Sequence, residues 1–415
     1  MWRAVVHLTI LLALVAVTSG SAGTIYVPAD QATIQAGIDA AVNGDTVLVA
    51  SGTYSGDGNR DVDFHGKLIA LISESGAAAT IIDCDGSAVA PHRAFYLHSG
   101  EDSTALIEGF TITDAYDTAA AVYGVDVGVR ISNCEVVDNY CSGVRRVGLG
   151  LNWLVLDNCT IARNAGDGVY VTQYFAVRHS TFTYNTARGL WGEQPSLQSS
   201  VTFSIFANNT GAGMAGISFS GYMADVRNCT FVGNYDGLAC ILDLPAAVEA
   251  AYPPLVENCI FAFNRHYGYA AGGYVQPKVR CSDDYGNGFQ DWTVLPGDTT
   301  GKISANPLFC DTSSGDLHLM DASPCAAAHN SCGALMGAFD VNCLCCPDST
   351  GDINLSGVVD LTDLSALVSY LTSGGYVLLC VDAANVNAVG IVDLGDLSAL
   401  VSFLTGDGYI LPGCP

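Results

Sequence analysis

Basic residues are scarce in this chain of 415 residues: Lys and Arg total 15 against 41 Asp and Glu, a formal charge of −26. That balance repels nucleic acid and anionic membrane surfaces and attracts cations, although acidity alone also serves solubility. Charged residues of either sign make up only 13%, and 46 glycines sit among abundant Val, Ile, Leu and Phe. Such a composition excludes disorder and points to a β-rich, turn-rich fold. Beyond the N-terminus no apolar run is long enough to cross a bilayer, so no membrane span is expected in the mature chain. Also lacking are GxSxG, HExxH and P-loop motifs, which removes several common hydrolase and nucleotide-binding chemistries.

The N-terminus, MWRAVVHLTILLALVAVTSGSAG, places Arg3 before an apolar stretch from about Leu8 to Val17. Small residues follow, and Gly20-Ser21-Ala22 fits a cleavage site, so residues 1–22 read as a signal peptide and the mature protein as secreted, extracellular or at the cell surface. The length predicts two structured regions, with boundaries at 23–340 and 341–415. Sixteen cysteines agree with an oxidising compartment. Cys134, Cys159, Cys229 and Cys259 recur at one repeat position and read as buried small residues. Cys310, Cys325, Cys332, Cys343, Cys345, Cys346, Cys380 and Cys414 crowd the last quarter, where disulfides are expected, with Cys325–Cys332 the favoured pair. Cys343, Cys345 and Cys346 fit the spacing of a zinc site poorly.

The middle of the chain repeats. NCEVVDNYCSG from Asn133 is followed by NCTIARNAGDG from Asn158, HSTFTYNTARG from His179, FSIFANNTGAG from Phe203, NCTFVGNYDG from Asn228 and NCIFAFNRHYG from Asn258. Starts are spaced by 25, 21, 24, 25 and 30 residues, and each copy carries an Asn six positions on: Asn139, Asn164, Asn185, Asn209, Asn234, Asn264. Such a period describes coils of short strands that bury their inner side chains only by stacking on one another. Stacked Asn side chains can hydrogen-bond along the axis, and Asn tolerates left-handed turns. The following Gly is expected to close the corner with a positive φ. This pattern resembles the right-handed parallel β-helix of the pectate-lyase-like superfold, whereas the Leu ladder of a leucine-rich repeat is missing. TIYVPADQATIQAGIDAAVNGDTVLVASGTY (Thr24 to Tyr54) resembles the opening of exported β-helix proteins, with Ile34, Ile38 and Ala41 on one face of a helix that would plug the open end. NPLFCDTSSGDLHLMDASPCAAAHNSCGALMGAFD resembles the closing segment of the same family.

The chain ends by repeating itself: GVVDLTDLSALVSYLT (357–372) and GIVDLGDLSALVSFLT (390–405) share thirteen of sixteen positions at an offset of 33. Extended upstream, the first copy places Asp352, Asn354, Ser356, Asp360 and Asp363 at positions 1, 3, 5, 9 and 12 of an EF-hand-type loop. Gly357 takes position 6, and the Val358 carbonyl takes position 7. The second places Asn385, Asn387, Asp393 and Asp396 likewise, with the Ile391 carbonyl, but Val389 supplies no oxygen at position 5. Each loop leads into a short helix. This resembles a type I dockerin module, which implies a Ca2+ ion in each loop, weaker in the second, and a cohesin-like or other cell-surface protein partner. Leu361-Thr362 and Leu394-Gly395, at the partner-contacting positions, depart from the usual Ser-Thr type. The alternative is a helical hairpin capped by Asp residues. The fold class expected is therefore mainly β, a right-handed parallel β-helix (solenoid) plus a small α-helical paired EF-hand-like module.

After each corner Gly, Val144, Val169, Leu190, Met214, Leu238 and Tyr269 are expected to point inward, and Arg145, Tyr170, Trp191, Ala215, Ala239 and Ala270 outward. Thr172 and Glu193 share the outer face. Arg145, Tyr170, Trp191 and Glu193 thus form a candidate substrate-binding row: exposed rings stack on sugar faces and Arg holds a uronate carboxylate. The alternative is a row covered by a loop. Asp167, Glu193 and Asp236 near successive corners are the carboxylates a glycosidase would need, but motif clusters of polygalacturonases, pectate lyases, pectin esterases and alginate epimerases are not recognisable, and no catalytic residue is assigned. Asp283-Asp284 reads as an exposed acidic turn and His266 as a turn residue stacked on its neighbours. The function expected from the resemblance is a carbohydrate-associated protein that binds or degrades polysaccharide, as a lyase or glycoside hydrolase if it is an enzyme. The alternative is a non-catalytic adhesion or assembly module with the β-helix as a rigid spacer.

Overall fold

A computed structural model describes residues 22–415 apart from 212–214, 222, 243–254, 274–277, 290–298, 313–314, 342–349, 373, 377, 379 and 414–415. The leader up to residue 21, Met214, Cys343, Cys345, Cys346 and Cys414 lie outside the described residues.

Among the described residues three parallel sheets of eleven, ten and eight strands account for nearly all the extended chain. Successive strands of each sheet come from successive coils. In the first sheet Val129–Ser132 pairs with Leu154–Asp157, and that with Phe175–Arg178. In the second, Glu135–Val137 pairs with Thr160–Ala162 and then Thr181–Thr183. In the third, Ser142–Val147 pairs with Val169–Thr172 and then Leu190–Glu193. The chain therefore winds as a parallel β-solenoid, as its period predicts.

The inner faces explain why these residues make coils. The apolar residue of each C-x-[IF] unit points inward, and Phe182, Phe206, Phe231 and Phe261 stack in near-parallel pairs at 4.6, 5.2 and 4.8 Å between centroids. Cys134, Cys159, Cys229 and Cys259 are buried free thiols, as the repeat suggests.

Beside this stack runs the Asn ladder. Each Asn Nδ2 donates to the Oδ1 of the Asn one coil on: Asn139 to Asn164 at 2.9 Å, Asn164 to Asn185 and Asn185 to Asn209 at 3.0 Å, Asn209 to Asn234 at 3.1 Å and Asn234 to Asn264 at 3.2 Å. Asn287 extends it by one rung at 2.9 Å, which the sequence repeat did not signal. The second Nδ2 proton reaches a backbone carbonyl of the preceding coil, Ile161 O for Asn185, and Oδ1 also accepts the ladder neighbour's backbone N–H. Every polar atom of a buried amide is thus satisfied, the condition under which burying it is tolerable.

Two expectations about the corners need correction. The ladder Asn residues are not left-handed; the residue before each one is, with φ near 55° at Asp138, Arg163, Tyr184, Asn208 and Phe263. Nor do the corner glycines supply positive φ. A Cβ at Gly168 would sit 2.6 Å from Gly189 O and 2.9 Å from Asn185 Nδ2, and one at Gly237 would sit 2.4 Å from Gly268 O. These glycines are required because adjacent coils approach too closely for a side chain.

Helix α1 (Ile34–Ala40) opens with Thr33 accepting from Ala36 N, buries Ile34 and Ile38, and is followed by buried Ala41. It packs on strands Thr24–Val27 and Thr46–Val49 so closely that a Cβ at Gly37 would meet Val27 and Val47 at 2.8 and 2.9 Å. The plug is as expected. At the other end, residues 303–341 run back along the second sheet, where Phe309, Leu317, Leu319 and Met336 cover Ile205, Val232 and Ile260. Gly337 N donates to Asn258 O and Ala338 N to Thr230 Oγ1. The disulfide here is Cys281–Cys332, not Cys325–Cys332. Cys325 is a buried free thiol, because the returning segment brings Cys332 over the coil that carries Cys281. Cys310 and Cys380 are also disulfide-bonded.

The C-terminal segment holds α2 (Leu361–Leu371), α3 (Val381–Ala384) and α4 (Leu394–Thr405). Its own core pairs equivalent residues of the two copies: Ile353 with Val386, Ala366 with Ala399 and Leu367 with Leu400. Among the described residues no helix is long and apolar enough to cross a membrane.

The ladder yields a test. Asn185→Ala leaves the Asn164 amide and the Ile161 carbonyl buried without partners, and each such group costs about 1–3 kcal/mol. Chemical denaturation is expected to show destabilisation of roughly 2–5 kcal/mol; a loss under about 0.5 kcal/mol would remove the ladder from its structural role.

Candidate functional site

The third sheet presents one outward residue per coil in strict register. Arg145 lies opposite Tyr170, and Tyr170 opposite Trp191. Preceding coils add two rings that the repeat pattern missed, Tyr96 and Tyr123, because their coils lack its NC motif. Beyond Trp191 the outward residues are Ser218, Ala239 and Ala270. Ser218 replaces the expected Ala215: Leu190 pairs with Ile217, so Gly216 is the corner glycine of that coil and Ala215 is buried. The inward residues Val144, Val169, Leu190, Leu238 and Tyr269 are all buried as expected.

The row is a cation–aromatic stack. Tyr96 and Tyr123 lie parallel, 5.6 Å between centroids, with the Arg93 guanidinium over both. Arg145 lies 4.6 Å from the Tyr170 centroid and Arg188 lies 4.1 Å from that of Trp191. Tyr170 and Trp191 meet edge to face at 4.8 Å. The row is not a bare platform: Tyr170 is only 9% exposed, while Tyr96, Tyr123, Arg145, Trp191 and Glu193 are half-buried. The Tyr170 hydroxyl donates to Glu193 Oε2. Burial first, and then that carboxylate, push the Tyr170 phenol up to about 12, so it stays a donor through the neutral range.

The three arginines differ. Arg93 is paired with Asp117 at 2.7 Å and Arg188 with Asp167 at 3.4 Å. Arg145 has no carboxylate partner among the described residues, and its Nε is shielded without a hydrogen-bond acceptor. Its chain neighbour Arg146 faces inward, is fully buried, and donates to the carbonyls of Val127, Thr172 and Asn152, tying the turn after the strand.

The expected carboxylates do not assemble into an acid–base pair. Asp167 is held by Arg188, Glu193 by Tyr170, and Asp236 by His266 at 3.0 Å. His266 is indeed stacked, on Tyr235 and edge-on to Tyr267 and Phe289. Asp283-Asp284 is not an exposed turn; both sit in the strand Asp283–Tyr285 at the end of the second sheet. Asp283 is fully buried, accepts from Ala305 N at 3.0 Å and from Cys325 Sγ at 3.6 Å, and is pushed up to about 7 by desolvation. Periodicity could not show this, because its burial comes from the returning segment.

The two C-terminal loops have matching geometry. In the first, Asp352 Oδ1 and Asn354 Oδ1 both accept from Ser356 N at 2.9 Å, and Ser356 Oγ donates to the Val358 carbonyl at 3.1 Å. Fully buried Asp363 accepts from Asn354 N and Asp360 N, both at 2.9 Å, closing the loop over the first turn of α2. In the second, Asn385 and Asn387 both accept from Val389 N, and buried Asp396 accepts from Asn387 N and Asp393 N. Ile391 is 79% exposed beside it. Gly357 and Gly390 take φ of 86° and 75°, the sharp turn expected of position 6. Asp363 and Asp396 have no cationic side chain against them among the described residues, an arrangement that favours a bound cation. No cluster of three or more His, Cys, Asp or Glu is arranged for a metal among the described residues; the convergent oxygens of the first loop come also from Asn354, Ser356 and a carbonyl.

A family described as "Right handed beta helix region" matches residues 69–244. No curated protein matches the chain in sequence. Among solved structures, pectate lyase Pel9A is similar at 14% identity and a TM-score of 0.52, covering 78% of this chain and 97% of that one. The A-module of the Azotobacter vinelandii mannuronan C-5 epimerase AlgE6 shows 16% identity, coverage of 66% and 94%, and a TM-score of 0.37. The catalytic domain of a GH87 alpha-1,3-glucanase shows 11% identity, coverage of 68% and 64%, and a TM-score of 0.36. Identities this low speak to fold alone: a mainly β, right-handed parallel β-helix of pectate-lyase-like type.

Asp283 supplies a pH test. Its folded pKa is raised above the unfolded value, so the unfolded chain releases the proton first and stability falls as pH rises from about 4 to about 7. Melting curves are expected to show a downward slope across that window which Asp283→Asn flattens; parallel slopes for the two proteins would contradict the assignment.

Proposed function

We propose that this chain is a secreted carbohydrate-binding protein that holds uronic-acid polysaccharide along the third sheet and attaches to a partner through its calcium-loaded C-terminal module. The carrying observation is the in-register row Tyr96, Tyr123, Arg145, Tyr170 and Trp191, with Arg145 lacking a carboxylate partner among the described residues. Strands repeat at about 4.8 Å, so the row spans roughly 19 Å, room for several sugar units of an extended chain. Pyranose faces would pack on the exposed parts of Tyr123 and Trp191, and Arg145 would take a uronate carboxylate by a forked pair of hydrogen bonds. Glu193, held by Tyr170, would accept from sugar hydroxyls beside Trp191. Binding without bond cleavage is favoured because Asp167, Glu193 and Asp236 are each engaged by a different partner.

Retention of the full-length protein on polygalacturonate or alginate, with assays for new reducing ends and unsaturated products, tests this reading. Trp191→Ala and Arg145→Ala are each expected to weaken retention by about tenfold, the size of one lost stacking or charge-assisted contact. Unchanged retention in both variants would defeat the groove. Product formation would make the protein a lyase or hydrolase instead.

In the C-terminal module, calcium would be held by Asp352, Asn354, Ser356, the Val358 carbonyl, Asp360 and Asp363. A weaker second site would use Asn385, Asn387, the Ile391 carbonyl, Asp393 and Asp396. Each ion would neutralise a buried carboxylate and set the loop against its helix. The exposed Leu361 and Leu394, each 71% accessible at equivalent places, would face a cohesin-like partner. Calorimetry with calcium is expected to resolve a tighter and a weaker site. Asp352→Ala should remove the tighter one and Asn385→Ala leave it intact. No calcium heat and no thermal shift in the wild-type protein would sink the attachment reading.

A further inference from the structure

Away from the row, a cleft of about 290 Å3 opens between the corner joining the first and second sheets and the returning C-terminal segment. Asn158, His179 and Phe203 form one wall; His318, Phe339 and Asp340 form the other. The first wall is where the repeat breaks its own rule. At this corner the backbone is left-handed from Gly109 to Cys281, and Asn occupies it at Asn133, Asn158, Asn228 and Asn258, with φ between 51° and 55°. Asn suits that conformation, because its short side chain relieves the strain and can bond locally. His179 and Phe203 take the same position with φ of 47° and 50°, a costlier choice for bulky side chains. Gly109 and the disulfide-bonded Cys281 also depart from Asn at this corner, but only His179 and Phe203 are rings; they lie in consecutive coils, and both line the cleft.

The departures buy no obvious packing. Phe203 is 45% exposed, and its ring stacks on His179 at 5.4 Å with 15° between planes. The returning segment presents a second stacked pair, His318 on Phe339 at 4.2 Å and 15°. Both imidazoles are held at Nδ1 by carboxylates: His179 by Asp157 at 3.5 Å and His318 by Asp316 at 2.7 Å. No hydrogen bond to Nε2 of either ring occurs among the described residues. Among the described residues no Lys or Arg lines the cleft, while Asp340 does; Asp316 stands behind His318, and Asp157 behind His179 is paired on its other side with Arg130 at 3.2 Å. Asp340 therefore disfavours an anionic ligand, and the described residues do not converge as a metal set.

We infer that this cleft binds a neutral sugar residue, as a second carbohydrate site separate from the uronate row. Flat apolar rings with carboxylate, amide and imidazole groups at their edge match a pyranose, whose C–H face stacks on an aromatic while its rim of hydroxyls both donates and accepts. Asp340 accepts from hydroxyls, Asn158 does both, and each Nε2 serves according to its protonation. Asp340, which has no cationic partner among the described residues, sets the selectivity: the cleft takes uncharged sugars and the Arg145 row takes acidic ones. The inference stands on the cleft alone and does not need the uronate reading.

The test uses the full-length protein and calorimetric titration with cello-, xylo-, manno- and laminari-oligosaccharides, with oligogalacturonate as the acidic comparison. Phe203→Asn and His179→Asn introduce the residue that four other coils carry at this corner, so both are expected to melt at or above the wild-type temperature. Each is nevertheless expected to weaken binding of the neutral oligosaccharide about tenfold, the scale of one lost ring contact. Asp340→Asn, which keeps the shape of the cleft, should weaken it several-fold. Trp191→Ala should leave neutral-sugar binding unchanged. The inference is overturned if no neutral oligosaccharide of the panel binds, if the Asn variants bind as tightly as wild type, or if neutral-sugar binding is lost in Trp191→Ala instead.

Discussion

The buried Asn ladder is the interaction on which the rest of the solenoid depends. A primary amide has two donors and an acceptor oxygen with two lone pairs, and here each is matched once the coils repeat in register. A slip of one residue in any coil would break the chain of bonds at that rung and leave amides buried without partners, a cost far larger than a lost surface contact. The ladder therefore specifies register more than it adds strength. Once register is set, the Phe182–Phe261 stack follows, the corner glycines meet the next coil's carbonyl, and the outward residues of the third sheet fall into one line.

That line sets three guanidinium groups against aromatic rings on one face. In a chain with so few basic residues, Arg93, Arg145 and Arg188 all lie on aromatic rings of one face. Two are neutralised by Asp117 and Asp167. Arg145 has no carboxylate partner among the described residues, and a stacked guanidinium is well suited to a planar carboxylate. The flank holding the cleft differs: among the described residues its lining carries Asp340 and two imidazoles and no Lys or Arg. One solenoid thus offers two faces of different side-chain chemistry, which a rigid repeating scaffold permits because each face is built from a different position in the coil.

The C-terminal module follows another logic. Its two copies bury equivalent small apolar residues against each other, and each buries one carboxylate, Asp363 or Asp396, in a loop stitched by backbone N–H groups. Hydrogen bonds from neutral amides orient such a carboxylate but do not remove its charge.

Much of this was readable in the order of residues, because a repeat is a local signal reinforced at every coil. The ladder positions, the inward face, the plug helix, the buried cysteines of the repeat and the Arg145–Trp191 row all follow from period and alternation. The reading failed where contacts join distant segments or where one coil departs from the count. The extra residues before Gly216 moved the outward position from Ala215 to Ser218, and only pairing across strands reveals it. Tyr96 and Tyr123 carry no repeat motif and join the row solely by register. Asp283 is buried, and Cys281 rather than Cys325 meets Cys332, because residues 303–341 fold back along the second sheet. What the sequence determined by itself is the coil and the face each residue takes, since alternation is a property of one strand. Which charges are matched, which rings touch and what covers each face were decided only in the tertiary structure, since those depend on packing between segments that sequence distance does not measure.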